Sequence, residues 1–296
     1  MNSSLSVTIA IPTCYGGASL LSALKSVQTA AHKHAVTYMV VADTIPLEQH
    51  ILDELLALGV VVTQNSTRSS QLSKLKQMIK VCTTDLFIFT HDDIVFDPHA
   101  LSAILRTFET YPETTLACSR VLPAPATTWF EAILASGSAI AYRIGEQWNR
   151  GDNYLLANGR CIAFRTEALK KLSIPDTIVN GDGWFYIANK LSGGVFRFAG
   201  DAIVYTKSPQ TLSEHMRQSS RFQYSYEELS GYFSAADISE EYNIPVVLMV
   251  RSFLQEFFVH PLLTACYMAV MLYSRMYKPP KDGYATTLWQ VDASTK

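Results

Sequence analysis

The sequence has few charges, and its cysteines form no pattern. Charged residues make up 17% of the 296 residues, and the formal net charge at pH 7 is −2. This balance excludes the basic surface typical of nucleic-acid-binding proteins, so we expect no nucleic-acid partner. The five cysteines are odd in number and never spaced Cys-x-x-Cys, which argues against a disulfide framework or a zinc site. We therefore expect reduced thiols in a cytosolic setting.

Three further signals are missing from the sequence. Residues 1–6 have no basic region, so we expect no signal peptide. No Gly-x-Gly-x-x-Gly follows the first strand-like run, and there is no Gly-x-x-x-x-Gly-Lys-Ser/Thr phosphate loop. A nucleotide would have to be held in another way, and a metal that joins a carboxylate to a diphosphate would serve.

The first hundred residues alternate strand-like and helix-like segments. Apolar or β-branched runs at 7–12, 38–42, 60–62 and 87–90 alternate with helical spacing at 19–32, 51–58 and 72–79. This rhythm predicts an α/β fold with a mostly parallel sheet flanked by helices. Three of the runs end near polar residues, and in such a sheet these ends gather in one crevice. The residues are Thr13, Asp43 and His91-Asp92-Asp93.

The adjacent carboxylates of Asp92 and Asp93 follow the apolar run 87–90 directly. Two acids at the end of a buried strand are costly unless a cation meets them, and a divalent metal carrying a phosphate ester is the common solution. Alternatively, the aspartates cap the loop that follows.

The regular alternation fades after residue 116. The pattern predicts helices at 127–142, 182–191 and 209–229, a strand at 160–164, and two short strands at 195–198 and 202–205. We predict four parts of the chain, which are a catalytic domain at 1–232, a linker at 233–243, apolar membrane-associated or interface helices at 244–277, and a tail at 278–296.

Residues 7–229 resemble the family 2 glycosyltransferases, which have the GT-A nucleotide-diphospho-sugar transferase fold. His91-Asp92-Asp93 occupies the place of the family's Asp-x-Asp motif, with His91 in place of the first Asp. The resemblance implies a Mn²⁺ or Mg²⁺ cofactor with Asp93 as its ligand. It also implies that His91 and Asp92 help to bind the donor.

Further donor contacts follow from the same resemblance. Pro12 and Thr13 match the end of the opening strand that contacts the nucleoside, and Asp43 matches the Asp that bonds the nucleobase. Arg68 and Lys74 match the segment that closes over the base and diphosphate, and are the expected phosphate contacts.

The acceptor side resembles the family in two motifs. Asn180-Gly181-Asp182 matches its Glu-Asp motif with Gly181 in place of the Glu, which makes Asp182 the expected catalytic base. The alternative is that Asp182 caps the helix that follows. Trp184, beside this base, is the expected acceptor contact.

The second motif, residues 218–222, resembles the Gln-x-x-Arg-Trp motif of family members that build polysaccharides at membranes. Gln218 and Phe222 are the expected acceptor contacts, although Phe222 lacks the indole donor of the Trp it replaces. Arg221 is expected to neutralise the departing diphosphate.

The resemblance implies an inverting transfer from a nucleotide diphosphate sugar, with UDP the expected nucleotide and GDP the alternative. The acceptor is expected to be a hydroxyl of a glycan or of a lipid-linked sugar. Two other interpretations remain open, namely a sugar nucleotidyltransferase and a non-catalytic nucleotide-sugar-binding subunit of a glycan synthase.

Residues 257–274 carry no charge apart from His260, but this length is borderline for a span, which needs about 20 residues. Pro261 would kink a continuous helix. We therefore expect 244–277 to associate with the cytoplasmic face of a membrane as a peripheral, re-entrant or C-terminally anchoring segment. The alternatives are a buried core helix and an interface in a homo-oligomer.

Overall fold

The computed structural model describes residues 5–277, without the side chains of residues 220–222. Their contacts divide the chain into two units. The first unit holds residues 5–121, 158–178 and 188–205, and the second holds 122–157, 179–187 and the chain from 206 onward. The predicted tail, 278–296, lies outside the described residues.

The first unit contains the sheet and the helices that cover it. The strands are β1 (Val7–Thr13), β2 (Val36–Ala42), β3 (Val60–Gln64), β4 (Leu86–Thr90), β5 (Ile94–Phe96), β6 (Thr114–Pro123), β7 (Cys161–Arg165) and β8 (Val195–Thr206), of which β6 and β8 end in the second unit. The helices are α1 (Ala18–Ala31), α2 (Gln49–Ala57), α3 (Gln71–Val81), α4 (Ala100–Thr110) and α6 (Thr166–Lys170).

The eight strands form one sheet in the order β3-β2-β1-β4-β7-β6-β8-β5. Strands β3, β2, β1 and β4 are parallel, while β7 pairs antiparallel with both β4 and β6. Strands β1 and β4 are buried along their whole length, as expected for a parallel sheet covered on both faces. The predicted α/β fold with a mostly parallel sheet is confirmed.

Strand β1 continues one residue beyond the proline at which the apolar pattern predicted its end. Pro12 is buried and pairs in register with Val41 of β2, while the pairing of β1 with β4 stops at Ala10. Because the pairing with β4 has already ended at Ala10, a residue without an N–H costs no hydrogen bond to β4 at this position. Thr13 is thus the last residue of the strand and lies opposite Ala42.

The second unit is helical. Its helices are α5 (Trp129–Gln147), α8 (Leu212–Gln223), α9 (Ser225–Leu229), α10 (Ala235–Tyr242), α11 (Val246–Val259) and α12 (Pro261–Met276). Helix α7 (Gly181–Leu191) has its first seven residues in this unit. A capping box starts α5, because the Glu131 carboxylate accepts from the Thr128 backbone while the Thr128 hydroxyl accepts from the Glu131 backbone.

Helices α11 and α12 pack against α5 through polar as well as apolar side chains. The Glu256 carboxylate, 2% exposed, accepts hydrogen bonds from Arg143 at 2.5 Å and from Ser136 at 3.1 Å. The Ser136 hydroxyl also lies 3.2 Å from the hydroxyl of Thr264. At Gly137 an added Cβ would overlap the ring of Tyr267, so α12 approaches α5 closely there.

Several predicted elements differ from the structure. Two short strands were expected at 195–205, where β8 is continuous, and one helix was expected at 209–229, where α8 and α9 are separate. The predicted linker, 233–243, contains α10, whose Ile238 and Glu241 are buried. None of the helices in the described part of the chain is both long and apolar enough to cross a membrane.

Candidate active site

The polar residues at the ends of β1 and β4 contact each other. The Thr13 hydroxyl donates to Asp92 Oδ2 at 2.5 Å, and the backbone N–H of Gly16 donates to Thr13 Oγ1 at 3.0 Å. Because β1 lies between β2 and β4 and all three are parallel, their carboxyl ends share one edge of the sheet. The strand order reverses at β1 and β4, which is where open α/β sheets bind ligands.

The turn between β4 and β5 carries the three residues of the predicted motif. Asp92 is buried, whereas His91 and Asp93 are partly exposed. The Ile94 N–H donates to the His91 carbonyl at 3.4 Å, which closes the turn. The side-chain nitrogen of Gln71 lies 2.9 Å from His91 Nε2, so the first residue of α3 contacts this motif.

Asp43, directly after β2, is fully buried. Its Oδ2 accepts from the Ser69 N–H at 2.7 Å, the Ser69 hydroxyl at 3.0 Å and Lys74 Nζ at 2.8 Å. Its Oδ1 accepts from the Thr44 hydroxyl at 3.0 Å. Burial alone would raise the pKa of Asp43, but hydrogen bonds from Lys74 and Ser69 outweigh it and hold the pKa below its usual value.

Lys74 is enclosed by the protein and is 1% exposed. Besides Asp43, its ammonium group contacts the sulfur of Cys14 at 3.2 Å, and burial raises the pKa of that thiol. Lys74, which the resemblance implied as a phosphate contact, is thus buried and paired with Asp43. Arg68, the other implied phosphate contact, is partly exposed.

A divalent metal fits the residues at the end of β4. Across residues 5–277, no three or more His, Cys, Asp or Glu side chains form a cluster that could hold a metal by itself. A metal bound together with a diphosphate needs only one or two protein carboxylates, since phosphate oxygens and water complete its coordination. The adjacent Asp92 and Asp93 supply carboxylates of this kind, with Asp92 already fixed by Thr13.

Asp182 lies in the first turn of α7, in the second unit. The N-cap is Asn180, whose side-chain oxygen accepts from the Gly183 N–H at 3.2 Å, so the alternative role of Asp182 as the N-cap is not what the structure shows. The Glu228 carboxylate of α9 accepts from the N–H groups of Val179 at 2.7 Å and Asn180 at 2.9 Å. These bonds fix the turn that carries Asp182.

The predicted acceptor contacts have different surroundings. Trp184 is 5% exposed and packs against Phe185 and Phe233, with ring centroids 5.4 Å and 6.2 Å away. Its ring therefore has little surface on which a sugar could stack. Gln218 is partly exposed on α8. The side chains of Arg221 and Phe222, on the same helix, lie outside the described residues.

Sequence reasoning did not find four residues that hold the predicted ones in place. They are Ser69 against Asp43, Gln71 against His91, and Asn180 and Glu228 around Asp182. Only Asn180 carried a local signal, because Asn just before a helix is a typical N-cap. The other contacts join residues 20 to 48 positions apart, which periodicity cannot predict.

A protein-family model identifies the chain. The model described as "Glycosyl transferase family group 2" matches residues 86–290, which is more than half of the sequence. The chain belongs to this family. The glycosyltransferase assignment made from the motifs is thereby confirmed, and no curated protein sequence matches the chain.

Solved glycosyltransferase structures share the fold at low sequence identity. A mannosyltransferase from Pyrobaculum calidifontis, PcManGT, in complex with GDP-Man and Mn²⁺, matches with a TM-score of 0.58 and 13% identity, over 92% of this chain and 81% of its own. A glucosyl-3-phosphoglycerate synthase from Mycobacterium tuberculosis, in complex with Mn²⁺, UDP and phosphoglyceric acid, gives 0.52 and 14%, over 77% and 78%. TarS from S. aureus, residues 1–349, gives 0.51 and 16%, over 86% and 72%.

Proposed function

We propose that this glycosyltransferase moves a sugar, with inversion, from a nucleoside diphosphate sugar to a hydroxyl of a glycan or lipid-linked acceptor. The observation that carries the proposal is the buried Thr13–Asp92 hydrogen bond, which fixes one carboxylate beside Asp93 at the ligand-binding edge of a parallel sheet. The family membership supplies the reaction class.

The donor side of the site suits a diphosphate held with Mn²⁺ or Mg²⁺. Asp93 would ligate the ion, and Asp92 would support it from the position that Thr13 fixes. When bound, the ion would stabilise the negative charge that develops on the leaving diphosphate. Two solved structures of this fold hold Mn²⁺, one with GDP-Man and the other with UDP, which supports this class of donor and metal.

Asp182 is the proposed base. Its carboxylate Oδ1 accepts from the Gly183 N–H at 3.1 Å, and the carboxylate would take the proton of the acceptor hydroxyl. Once that proton is removed, the oxygen of the acceptor hydroxyl would attack the anomeric carbon as the diphosphate leaves. This single displacement inverts the configuration at that carbon and needs no nucleophile on the protein.

A panel of sugar nucleotides tests the proposal. The protein is incubated with UDP- and GDP-linked hexoses, with Mn²⁺ or with EDTA, and release of the nucleoside diphosphate is measured. We expect Mn²⁺-dependent release from one donor, with a UDP-sugar first in rank. Binding of UDP or GDP without release from any donor, at any acceptor, would instead support a non-catalytic subunit.

We further propose that α11 and α12 place the enzyme on an anionic lipid surface, at the cytoplasmic face of a membrane. Exposed large apolar side chains follow one another along both helices, and Phe258 is 81% and Met276 85% exposed. Val246, Val250 and Leu254 recur every four residues, so they line one face of α11. In the sequence, α12 is followed by Lys278 and Lys281, which complement anionic lipid.

Sedimentation with vesicles tests this location. We expect the protein to bind phosphatidylcholine vesicles that contain phosphatidylglycerol, and the double variant Val250→Glu/Phe258→Glu to lose that binding. The matched control is Val61→Glu/Val81→Glu, which replaces exposed valines of the first unit. Unchanged vesicle binding by the α11 variant would contradict the proposal. A wild-type protein that forms a stable dimer in solution and does not bind the vesicles would also contradict it.

A further inference from the structure

Tyr242, the last residue of α10, contacts the first turn of α7. Its hydroxyl oxygen accepts a hydrogen bond from Asn180 Nδ2 at 3.3 Å. A Cβ atom added at Gly183 would lie 2.8 Å from that oxygen and 2.8 Å from Asn180 Nδ2, which is too close for any side chain. The turn that carries Asp182 is therefore packed tightly against Tyr242.

Two further contacts hold α10 in this place. The Tyr242 ring stacks on the ring of Tyr154, with centroids 4.1 Å apart and planes 6° from parallel. The residue before it, Glu241, is buried, and its carboxylate accepts from the hydroxyl of Tyr186 on α7 at 2.9 Å. The same hydroxyl lies 2.8 Å from Asp152. Because Tyr242 is held by its ring and by its neighbour in the chain, its hydroxyl is an acceptor in a fixed position.

The Asn180 side chain connects Tyr242 to the proposed base. Its amide donates to Tyr242 through Nδ2 and accepts from the Gly183 N–H through Oδ1 at 3.2 Å. Because the amide group is planar, a fixed Nδ2 also fixes the direction of Oδ1. Asp182 Oδ1 accepts from the same Gly183 N–H at 3.1 Å. One N–H is thus shared between Asn180 and Asp182, so the position of the Asp182 carboxylate depends on the orientation of the Asn180 amide.

The Tyr242 hydroxyl keeps its proton beside these groups. Burial raises the pKa of Tyr242, and the negative charges of Asp182 and Glu228 raise it further, although the hydrogen bond from Asn180 lowers it in part. A neutral hydroxyl accepts from the Asn180 amide without adding a negative charge next to the carboxylate of Asp182.

We infer that Tyr242 is a positioning residue for Asp182 and that it acts through the side-chain amide of Asn180. Residues 233–243, which the sequence pattern predicted to be a linker, thus support the proposed base through α10. The inference rests on the proposed function, in which Asp182 is the base. It implies that loss of the Tyr242 hydroxyl lowers turnover and leaves donor binding unchanged.

A double-mutant cycle tests this role. Tyr242→Phe removes the hydroxyl and keeps the ring, while Asn180→Ser removes the amide donor and keeps an oxygen that can cap α7. The kcat and the donor KM are measured as release of nucleoside diphosphate, with Mn²⁺, from the UDP- or GDP-linked hexose that the wild type turns over fastest. The matched control is Tyr154→Phe, which removes a hydroxyl from the other ring of the stack.

The two single variants should have the same effect. We expect each to lower kcat about tenfold, because the base is then less well oriented, and to keep the donor KM within about threefold. The double variant should lose no more than about threefold beyond either single variant, since the two residues act as one unit. Tyr154→Phe should keep kcat within about threefold of the wild type.

Other results would overturn the inference. A Tyr242→Phe variant with the kcat of the wild type would do so even if urea denaturation shows it to be less stable, since a merely structural role changes stability alone. Single losses that multiply to about 100-fold in the double variant would show that Tyr242 acts without Asn180. If Tyr242→Phe does not fold, Asn180→Ser decides, since a tenfold lower kcat at constant donor KM supports the inference and an unchanged kcat contradicts it.

The same assay separates this inference from the proposed function. A wild-type protein that releases no nucleoside diphosphate from any donor would overturn the proposed function, and the inference with it. A wild-type protein whose release is lost in Asp182→Asn but kept in full in Tyr242→Phe would overturn the inference alone.

Discussion

The hydroxyl of Thr13 donates a hydrogen bond to Asp92 Oδ2 at 2.5 Å and so joins the carboxyl ends of β1 and β4, 79 residues apart in sequence. Both side chains are buried, with Thr13 2% and Asp92 6% exposed. A buried carboxylate is costly without hydrogen bonds, so this contact stabilises Asp92 and restricts its orientation. Asp93, the proposed metal ligand, is attached to a residue held in this way.

Replacement of Thr13 tests whether the bond organises the donor site. Thr13→Val keeps the shape of the side chain and removes its hydroxyl, which takes a donor away from a buried carboxylate. We expect about tenfold weaker binding of a nucleoside diphosphate with Mn²⁺, and an unfolding free energy lower by about 1–3 kcal/mol. Calorimetry and urea denaturation measure these. Thr13→Ser keeps the hydroxyl and should stay close to the wild type; equal losses in both variants would contradict the account.

Replacement of Asp182 separates chemistry from donor binding. Asp182→Asn keeps the size of the side chain and removes the base, so kcat should fall by about 10²–10⁴-fold. The KM for the donor should stay within about threefold, since the donor residues lie on other elements. Steady-state kinetics measure both constants. Asp201→Asn, an exposed position on β8, is the control, and full turnover by Asp182→Asn would rule out the assigned base.

The parallel part of the sheet could be predicted from the sequence, because its local patterns agree with the way the strands pair. The apolar runs that become β1 and β4 are buried throughout, the run of β2 is buried over its last three residues, and each predicts its own polar end at Thr13, Asp43 or His91. Parallel pairing then brings these ends to one edge without further information. The residue types at this edge, together with the resemblance, predicted the reaction class.

Other elements were missed because their signals are short or mixed. Strand β5 has three residues with Val95 exposed, and β6 contains Thr115, Ser119 and Arg120 among its apolar positions. The enclosure of Lys74 by Asp43 depends on tertiary packing, since a lysine in a helical pattern is normally solvated. Motif position alone therefore predicted a phosphate contact for Lys74.

The capping box of α5 makes stability depend on pH. Burial would raise the pKa of Glu131, but hydrogen bonds from Thr127 and Thr128 outweigh it and lower the pKa from 4.5 to about 2. A depressed carboxylate pKa adds stability that is fully present above the unfolded value and is lost as pH falls. The capping contribution should therefore disappear between pH 4.5 and about 2.

Glu131→Gln checks this window. The variant should lose about 1–2 kcal/mol of unfolding free energy at pH 7, as for other lost caps, and its deficit should shrink as pH falls below 4.5. Urea denaturation at a series of pH values gives both quantities. If Glu131→Gln loses the same unfolding free energy at pH 7 as it does well below pH 4.5, the charge of Glu131 is not what caps the helix.

The ion pair between the buried Glu256 and the partly exposed Arg143 should fix α11 on α5. Glu256→Ala leaves Arg143 and Ser136 without their shared acceptor, so we expect a loss of about 1–3 kcal/mol in unfolding free energy. The double variant Arg143→Met/Glu256→Met should lose less than the sum of its single variants, because no uncompensated charge remains. Urea denaturation measures these losses. Glu240→Ala, exposed on α10, is the control, and a Glu256→Ala loss no larger than the control's would contradict the role.

Asp93 is the residue that we propose to bind the metal carrying the donor diphosphate. The most direct measurement is a Mn²⁺ titration of nucleoside diphosphate release from the preferred sugar donor, compared among the wild type, Asp93→Ala and the control Asp53→Asn, an exposed position on α2. We expect saturable Mn²⁺-dependent release in the wild type and Asp53→Asn, and a loss of at least about 100-fold in Asp93→Ala. If the Asp93→Ala variant keeps the Mn²⁺ dependence and the rate of the wild type, Asp93 does not bind this metal.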